Sequence, residues 1–107
     1  MRKNVRDFLK YLESDTSITV DLSTTSKTQK TVNSINYPIL VNVVGINDGK
    51  LGLAVITCGC QNCKNICGVE VLYGKNGSDI SDAQLVKEQI KTAVPAMQVE
   101  IRLIDDD

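Results

Sequence analysis

The chain has 107 residues, with 12 basic and 13 acidic side chains and a net charge of −1. This length fits one domain with a modest core, and that core must be aliphatic because the sequence has one Phe, three Tyr and no Trp. The mixed charges argue against nucleic-acid binding, the absence of histidine excludes imidazole-dependent triads, and no stretch approaches the ~20 apolar residues that cross a bilayer.

The first third of the chain predicts a helix, a strand and a polar segment. Residues 3–13 have apolar side chains at three- and four-residue spacing, which predicts an amphipathic helix. Residues 17–22 alternate apolar and polar side chains, which predicts a half-buried strand. Residues 23–36 are rich in Ser and Thr, and we expect either a long loop or a protruding hairpin arm there.

The middle of the chain predicts a hairpin followed by a further strand. An apolar run covers residues 39–44, and a second covers residues 51–57. The sequence Asn-Asp-Gly at 47–49 lies between them and indicates a turn, because Asp-Gly tolerates the positive φ of tight hairpins. Alternating apolar side chains at 69–73 predict another strand.

The last third predicts a capped helix and a final strand. Ser81 is the predicted N-cap, with Gln84 completing a capping box. The helix is expected from Asp82 to about residue 94, because Pro95 cannot continue it. Residues 99–103 alternate as the last strand.

This element order predicts an α+β fold in a single domain spanning residues 1–107. We expect a mainly antiparallel sheet of four to five strands. One helix lies at the N-terminus, and a second helix precedes the last strand.

A run of cysteines at 58–67 is the sharpest feature of the sequence. The four residues Cys58, Cys60, Cys63 and Cys67 are the only cysteines in the chain. Cys60 and Cys63 have the C-x-x-C spacing of zinc knuckles, and Cys58 and Cys60 project to the same side of an extended strand. Cys63 and Cys67 share a face if the segment turns helically. We therefore predict a thiolate metal site at 58–67, with zinc as the first choice.

Other chemistry remains open for the same thiols. An iron–sulfur cluster also takes cysteine ligands, although the spacing falls one residue short of the bacterial ferredoxin run and Gly68 stands where that run has Pro. The cysteines could instead form disulfides, exchange electrons through the C-x-x-C pair, or pack as small apolar residues. A reducing compartment favours metal binding over disulfides.

Two resemblances extend over larger parts of the chain. The segment DGKLGLAVITCGCQNC, followed by VKEQIKTAVPAMQVEI, is similar to the C-terminal scaffold domain of NifU-type iron–sulfur assembly proteins. This resemblance implies an iron–sulfur scaffold or carrier that uses the C-x-x-C pair.

The second resemblance concerns layout. The segments VRDFLKYL, NYPILVNVV, VEVLYGKNG, SDAQLVKEQIKTAV and QVEIRLI follow one another as in small tail-terminator and neck subunits of tailed phages. It implies a ring-forming structural subunit whose polar arm contacts its neighbours.

Together these observations predict a non-catalytic assembly subunit that carries a zinc-binding cysteine loop. We expect protein partners, as a homo-oligomer or a larger assembly, and a location in the cytoplasm or in a virion. Charged residues interrupt the apolar ones in the opening segment, which is unlike a secretory signal peptide. The alternative function is an iron–sulfur scaffold or carrier, or a thiol-redox protein.

Overall fold

In the part of the chain that the structure describes, two helices pack with a five-stranded sheet. The structure is a computed structural model and describes residues 5–28, 31–32, 35–36, 41–57, 66–74 and 77–104. The elements in chain order are α1 (Val5–Asp15), β1 (Val20–Thr28), β2 (Thr31–Val32), β3 (Ile35–Asn36), β4 (Val41–Ile46), β5 (Leu51–Thr57), β6 (Ile66–Tyr73), α2 (Ile80–Ala93) and β7 (Val99–Leu103). The predicted α+β fold, with one helix at the start and another before the last strand, is confirmed.

The main sheet has the strand order β1-β4-β5-β6-β7. Its first three pairings are antiparallel, and the last, between β6 and β7, is parallel. Parallel neighbours need a crossover connection, and α2 provides it. β2 and β3 form a separate antiparallel pair.

The predicted polar segment 23–36 contributes more regular structure than a loop would. Residues 23–28 continue β1, which pairs with β4 on both sides of an irregularity between Asp21 and Ser26. The short strands β2 and β3 then form a small hairpin within the same segment. In the part of this segment that the structure describes, residues 23–28, 31–32 and 35–36 therefore lie in strands.

The turn between β4 and β5 follows the prediction from Asn-Asp-Gly. Asn47, Asp48 and Gly49 have φ values of 51°, 61° and 77°. The Gly49 N–H donates to the Ile46 carbonyl at 3.1 Å, and the Asn47 side-chain oxygen accepts from the Thr19 N–H at 3.1 Å. The turn thus closes the hairpin and also fixes the start of β1.

The N-cap of α2 is Asp79, so the prediction of Ser81 with Gln84 is wrong. Asp79 accepts hydrogen bonds from the N–H groups of Ser81 and Asp82, and the Asp82 carboxylate accepts from the Asp79 N–H. This is a reciprocal capping box two residues earlier than expected. The helix consequently begins at Ile80.

Aliphatic side chains fill the space between the sheet and the two helices. α1 contributes Phe8, Leu9 and Leu12, and α2 contributes residues at spacings of three and four. The buried cluster on this face comprises Phe8, Leu9, Leu12, Ile18, Val44, Ile46, Leu51, Leu53, Val55, Val69, Val71, Ala83, Val86, Ile90 and Val99.

The opposite face of the sheet is also apolar at its centre. Val41, Ala54, Leu72 and Ile104 are buried there as a second, smaller cluster. At its border, Arg102 binds the Glu70 carboxylate through two hydrogen bonds, from Nε to Oε2 at 3.0 Å and from Nη2 to Oε1 at 2.9 Å. Glu70 is only 7% exposed, so this ion pair satisfies a carboxylate that water barely reaches.

Neither helix in the described part of the chain is long and apolar enough to cross a membrane. α1 has 11 residues and α2 has 14, each shorter than the ~20 residues that span the hydrocarbon layer.

Candidate functional site

The cysteine run lies in the connection between β5 and β6. β5 ends at Thr57, and β6 begins at Ile66, and these two residues are paired in the antiparallel register. Paired residues of antiparallel strands have Cα atoms about 4.5–5.5 Å apart. Both ends of the connecting segment 58–65 are therefore held together at its base.

Three of the predicted metal ligands belong to this connection. Cys58 directly follows Thr57, and Cys60 and Cys63 come next in the sequence. All three lie outside the described residues.

The fourth predicted ligand, Cys67, lies at an irregularity in β6. Ile56 pairs with Gly68 and Thr57 pairs with Ile66, so Cys67 is one extra residue opposite a single step of β5. Such a bulge changes the direction in which a side chain points relative to a regular strand. Cys67 is exposed while Gly68 and Val69 next along the strand are buried. Because Cys67 lies in a strand, the helical explanation of its spacing from Cys63 does not apply to it.

Cys67 is disulfide-bonded in this structure. A metal ligand has to be a thiolate, so zinc binding at this position requires the reduced form of Cys67.

Contacts between β6 and the residue that precedes β7 fix the end of the connection near Cys67. The Val69 N–H donates to the Gln98 carbonyl at 2.9 Å, just before β7 begins. A Cβ atom built on Gly68 would lie 3.3 Å from that carbonyl oxygen and 3.4 Å from the Gln98 side chain. Glycine therefore permits the close approach beside Cys67, and β5 and the start of β7 flank the site.

The described residues include no group of three or more His, Cys, Asp or Glu side chains arranged to hold a metal ion. Cys67 is the only one of the four cysteines among these residues. The predicted four-thiolate site at Cys58, Cys60, Cys63 and Cys67 accordingly stays a prediction.

A groove between α1 and α2, which the sequence did not indicate, has a volume of about 690 Å³. Its polar groups bind one another: the Ser17 N–H and hydroxyl both donate to the Gln89 side-chain oxygen, at 3.2 and 2.9 Å. The Tyr11 hydroxyl donates to the Ala93 carbonyl at 3.2 Å. A hydrogen bond to the neighbouring Asp15 carboxylate, followed by burial, raises the pKa of Tyr11 above its ordinary value of 10.0. These contacts tie the two helices together.

Comparisons with known proteins leave the cysteine connection as the main guide to function. No protein family, no curated protein and no solved structure matches this chain. The resemblances to NifU-type scaffold domains and to phage tail-terminator and neck subunits therefore remain expectations.

Proposed function

We propose that this protein is a non-catalytic structural subunit, of the tail-terminator or neck kind, which assembles with other chains and holds one zinc ion at its cysteine connection. The ligands are Cys58, Cys60, Cys63 and Cys67. The observation that carries the proposal is the pairing of Thr57 with Ile66, which closes the segment that contains three of the four thiols.

The pairing of Thr57 with Ile66 favours metal binding, because the conformational entropy of closing this loop is already lost when the sheet forms. Zinc places four sulfurs about 2.3 Å from one point. In an open chain, bringing four ligands to that point would require the whole segment to be ordered at the same time. Here β5 and β6 fix both ends of an eight-residue connection, 58–65, and Cys67 is the second residue of β6.

Charge near the site is compatible with a tetrathiolate centre. Zinc with four thiolates has a formal charge of −2 and is stabilised by cations and N–H donors around the sulfurs. The sequence places Lys64 between two of the cysteines and three side-chain amides, at Gln61, Asn62 and Asn65, within the same segment.

A second function, thiol–disulfide exchange, is favoured by one observation: the disulfide of Cys67. In this chemistry a thiolate from an external dithiol attacks one sulfur of the bond and forms a mixed disulfide. The second thiol of that reductant then displaces it, leaving two reduced cysteines and one oxidised dithiol. Zinc needs thiolates, so the oxidised pair and the zinc-bound state exclude each other.

Elemental analysis of the reduced, full-length protein tests the zinc site. We expect colourless protein with about one zinc per chain, the stoichiometry of a four-thiolate site. Cys67→Ser should weaken zinc binding at least tenfold because it removes one ligand, whereas Gln84→Ser, on the exposed surface of α2, should leave it unchanged. Brown protein with visible absorbance would instead indicate an iron–sulfur cluster.

Colourless, metal-free protein would contradict the zinc site. If such protein also cycled between disulfide and dithiol when treated in turn with reduced and oxidised dithiothreitol, thiol–disulfide exchange would be its function. The assembly role is tested separately by native mass spectrometry, since a chain that remains monomeric at every concentration does not fit a structural subunit.

A further inference from the structure

Strand β7 forms one border of the main sheet and has β6 as its single neighbour in the described part of the chain. Its five residues pair with β6 in a continuous parallel register, with no shift between Val99 and Leu103. A regular border strand of this kind presents a row of N–H and C=O groups that another strand can bind.

The outward-facing backbone groups of β7 belong to its odd-numbered residues. The Gln98 carbonyl accepts from the Val69 N–H, and the Ile104 N–H donates to the Tyr73 carbonyl, so the even-numbered residues face β6. Backbone groups alternate direction along a strand. Val99, Ile101 and Leu103 therefore direct their N–H and C=O groups away from the sheet.

We infer that a second copy of this chain binds along β7 in antiparallel orientation, with Ile101 opposite Ile101 of the second copy. In this two-fold arrangement the outward groups of Ile101 bind each other, and those of Val99 bind Leu103 of the second copy. That gives about six interchain backbone hydrogen bonds, two at each of three facing pairs. The two five-stranded sheets become one sheet of ten strands.

The charged side chains of β7 favour the register that is centred on Ile101. Glu100 and Arg102 are exposed and are next to each other on the same face of β7. With Ile101 on the two-fold axis, Glu100 lies opposite Arg102 of the second copy, and the same pair forms again on the other side of the axis. Directly opposite side chains of opposite charge stabilise paired strands.

The neighbouring registers bring like charges together. The odd-numbered residues must face one another for the backbone groups to match, so the nearest alternatives shift the centre by one residue in either direction along the strand. One of them places Glu100 opposite Glu100, and the other places Arg102 opposite Arg102. Like charges that face each other destabilise a strand pair, so the two-fold axis at Ile101 is favoured.

The side chains of β7 are suited to this contact. Leu103 is 55% exposed, and the second copy would cover part of this apolar side chain. Glu70 already holds the Arg102 guanidinium in place through two hydrogen bonds, while the Arg102 side chain stays 49% exposed. A guanidinium has five donors in a fixed plane, so binding Glu70 orients it for a second carboxylate.

The other border of the sheet is less suited to such pairing. β1 contains a register shift between Asp21 and Ser26, whereas β7 is regular. Bulges of this kind twist a border strand away from an incoming partner and are one way in which proteins prevent edge pairing.

Sedimentation equilibrium of the reduced, full-length protein tests the inference. We expect a monomer–dimer equilibrium in the micromolar range, because a pair of five-residue strands is at the small end of protein interfaces. Glu100→Gln should raise the dimer Kd a few-fold. Glu100→Arg, which creates two like-charge pairs, should raise it roughly tenfold or more. The matched control Glu88→Arg makes the same charge change on an exposed position of α2 and should change the Kd less than twofold.

Amide hydrogen exchange locates the interface. As protein concentration rises, the Ile101 and Leu103 N–H groups should become protected, while the N–H groups of Arg102 and Ile104 are already protected by β6 in the monomer. A dimer in which the Ile101 amide exchanges as fast as in the monomer would overturn the inference. So would a strictly monomeric protein, in which Glu100 and Arg102 would act only to prevent edge pairing.

The β7 interface rests on the proposed assembly role and names the partner for it, but it involves no cysteine. The β7 interface and the other parts of the proposed function can therefore be contradicted separately. A dimer that binds no zinc would contradict the metal site and leave the β7 interface standing. A zinc-loaded protein that forms larger particles without protecting the Ile101 amide would contradict the β7 interface and leave the assembly role standing.

Discussion

Gly74 is a residue at which one added carbon should clash with its surroundings. Its φ is +104°, and a Cβ atom there would lie 2.6 Å from the Ile104 carbonyl oxygen and 2.7 Å from a Leu103 methyl carbon. Gly49 also has a positive φ, +77°, but a Cβ built on it meets nothing within 4 Å. Comparing alanine substitutions at these two glycines therefore distinguishes the effect of a steric clash from that of backbone strain alone.

We expect Gly74→Ala to lower the free energy of unfolding by about 2–4 kcal/mol, because the end of β7 must move in addition to the cost of the backbone conformation. Gly49→Ala should cost about 1 kcal/mol, from the backbone conformation only. Urea denaturation of both variants provides the measurement. Equal losses of unfolding free energy in the two variants would show that the clash with Ile104 adds nothing to the cost of the backbone conformation.

At the scale of the element, the cap of α2 makes stability depend on pH. The hydrogen bond from the Ser81 hydroxyl, followed by the one from the Asp82 N–H, lowers the pKa of Asp79 below its ordinary value of 3.8. A carboxylate whose pKa is lower in the folded state contributes stability above the unfolded pKa, and this contribution disappears as the pH falls through the folded pKa. Asp79 should therefore stabilise the fold above about pH 4 and lose that effect below it.

The variant Asp79→Asn tests this pH dependence. Asparagine can still accept the capping hydrogen bonds but does not titrate. We expect the wild-type protein to lose its stability advantage over this variant as the pH falls from 5 through the unfolded pKa of about 4 and then through the lower pKa of the folded state. Thermal unfolding across that range provides the measurement, and a constant difference between the two proteins would contradict the assigned role of the Asp79 charge.

Elements with strong local patterns could be predicted from the sequence, and those that depend on distant partners could not. The spacing in α1 and the Asn-Asp-Gly turn are local signals, and both appear in the structure. The cap of α2 was ambiguous because Asp79 with Asp82 and Ser81 with Gln84 both form capping patterns. The bulge at Cys67 depends on how β5 pairs with β6, which no local pattern encodes.

At the scale of the whole molecule, zinc should contribute little to folding. The described part of the chain buries apolar side chains on both faces of the sheet. All four proposed ligands lie within ten residues of sequence, 58–67, so the unfolded chain can also bind the ion. Binding to the unfolded state reduces the stabilisation that a ligand provides.

We therefore expect a chelator, added to the reduced protein, to lower the melting temperature by about 5 °C or less and to leave the far-ultraviolet circular dichroism unchanged. Small zinc domains behave differently, because they unfold when the metal is removed. Loss of secondary structure on chelation would show that the metal supports the whole sheet.

Tyr11 gives this molecule a built-in optical signal. Its hydroxyl joins α1 to the Ala93 carbonyl at the end of α2, across 82 positions of sequence. Because the chain has no tryptophan, phenol rings dominate its intrinsic ultraviolet emission. A variant in which Phe replaces Tyr37 and Tyr73 would have Tyr11 as its single tyrosine. Separation of the two helices could then be followed by Tyr11 fluorescence, without attaching a dye to a protein whose cysteines would compete for it.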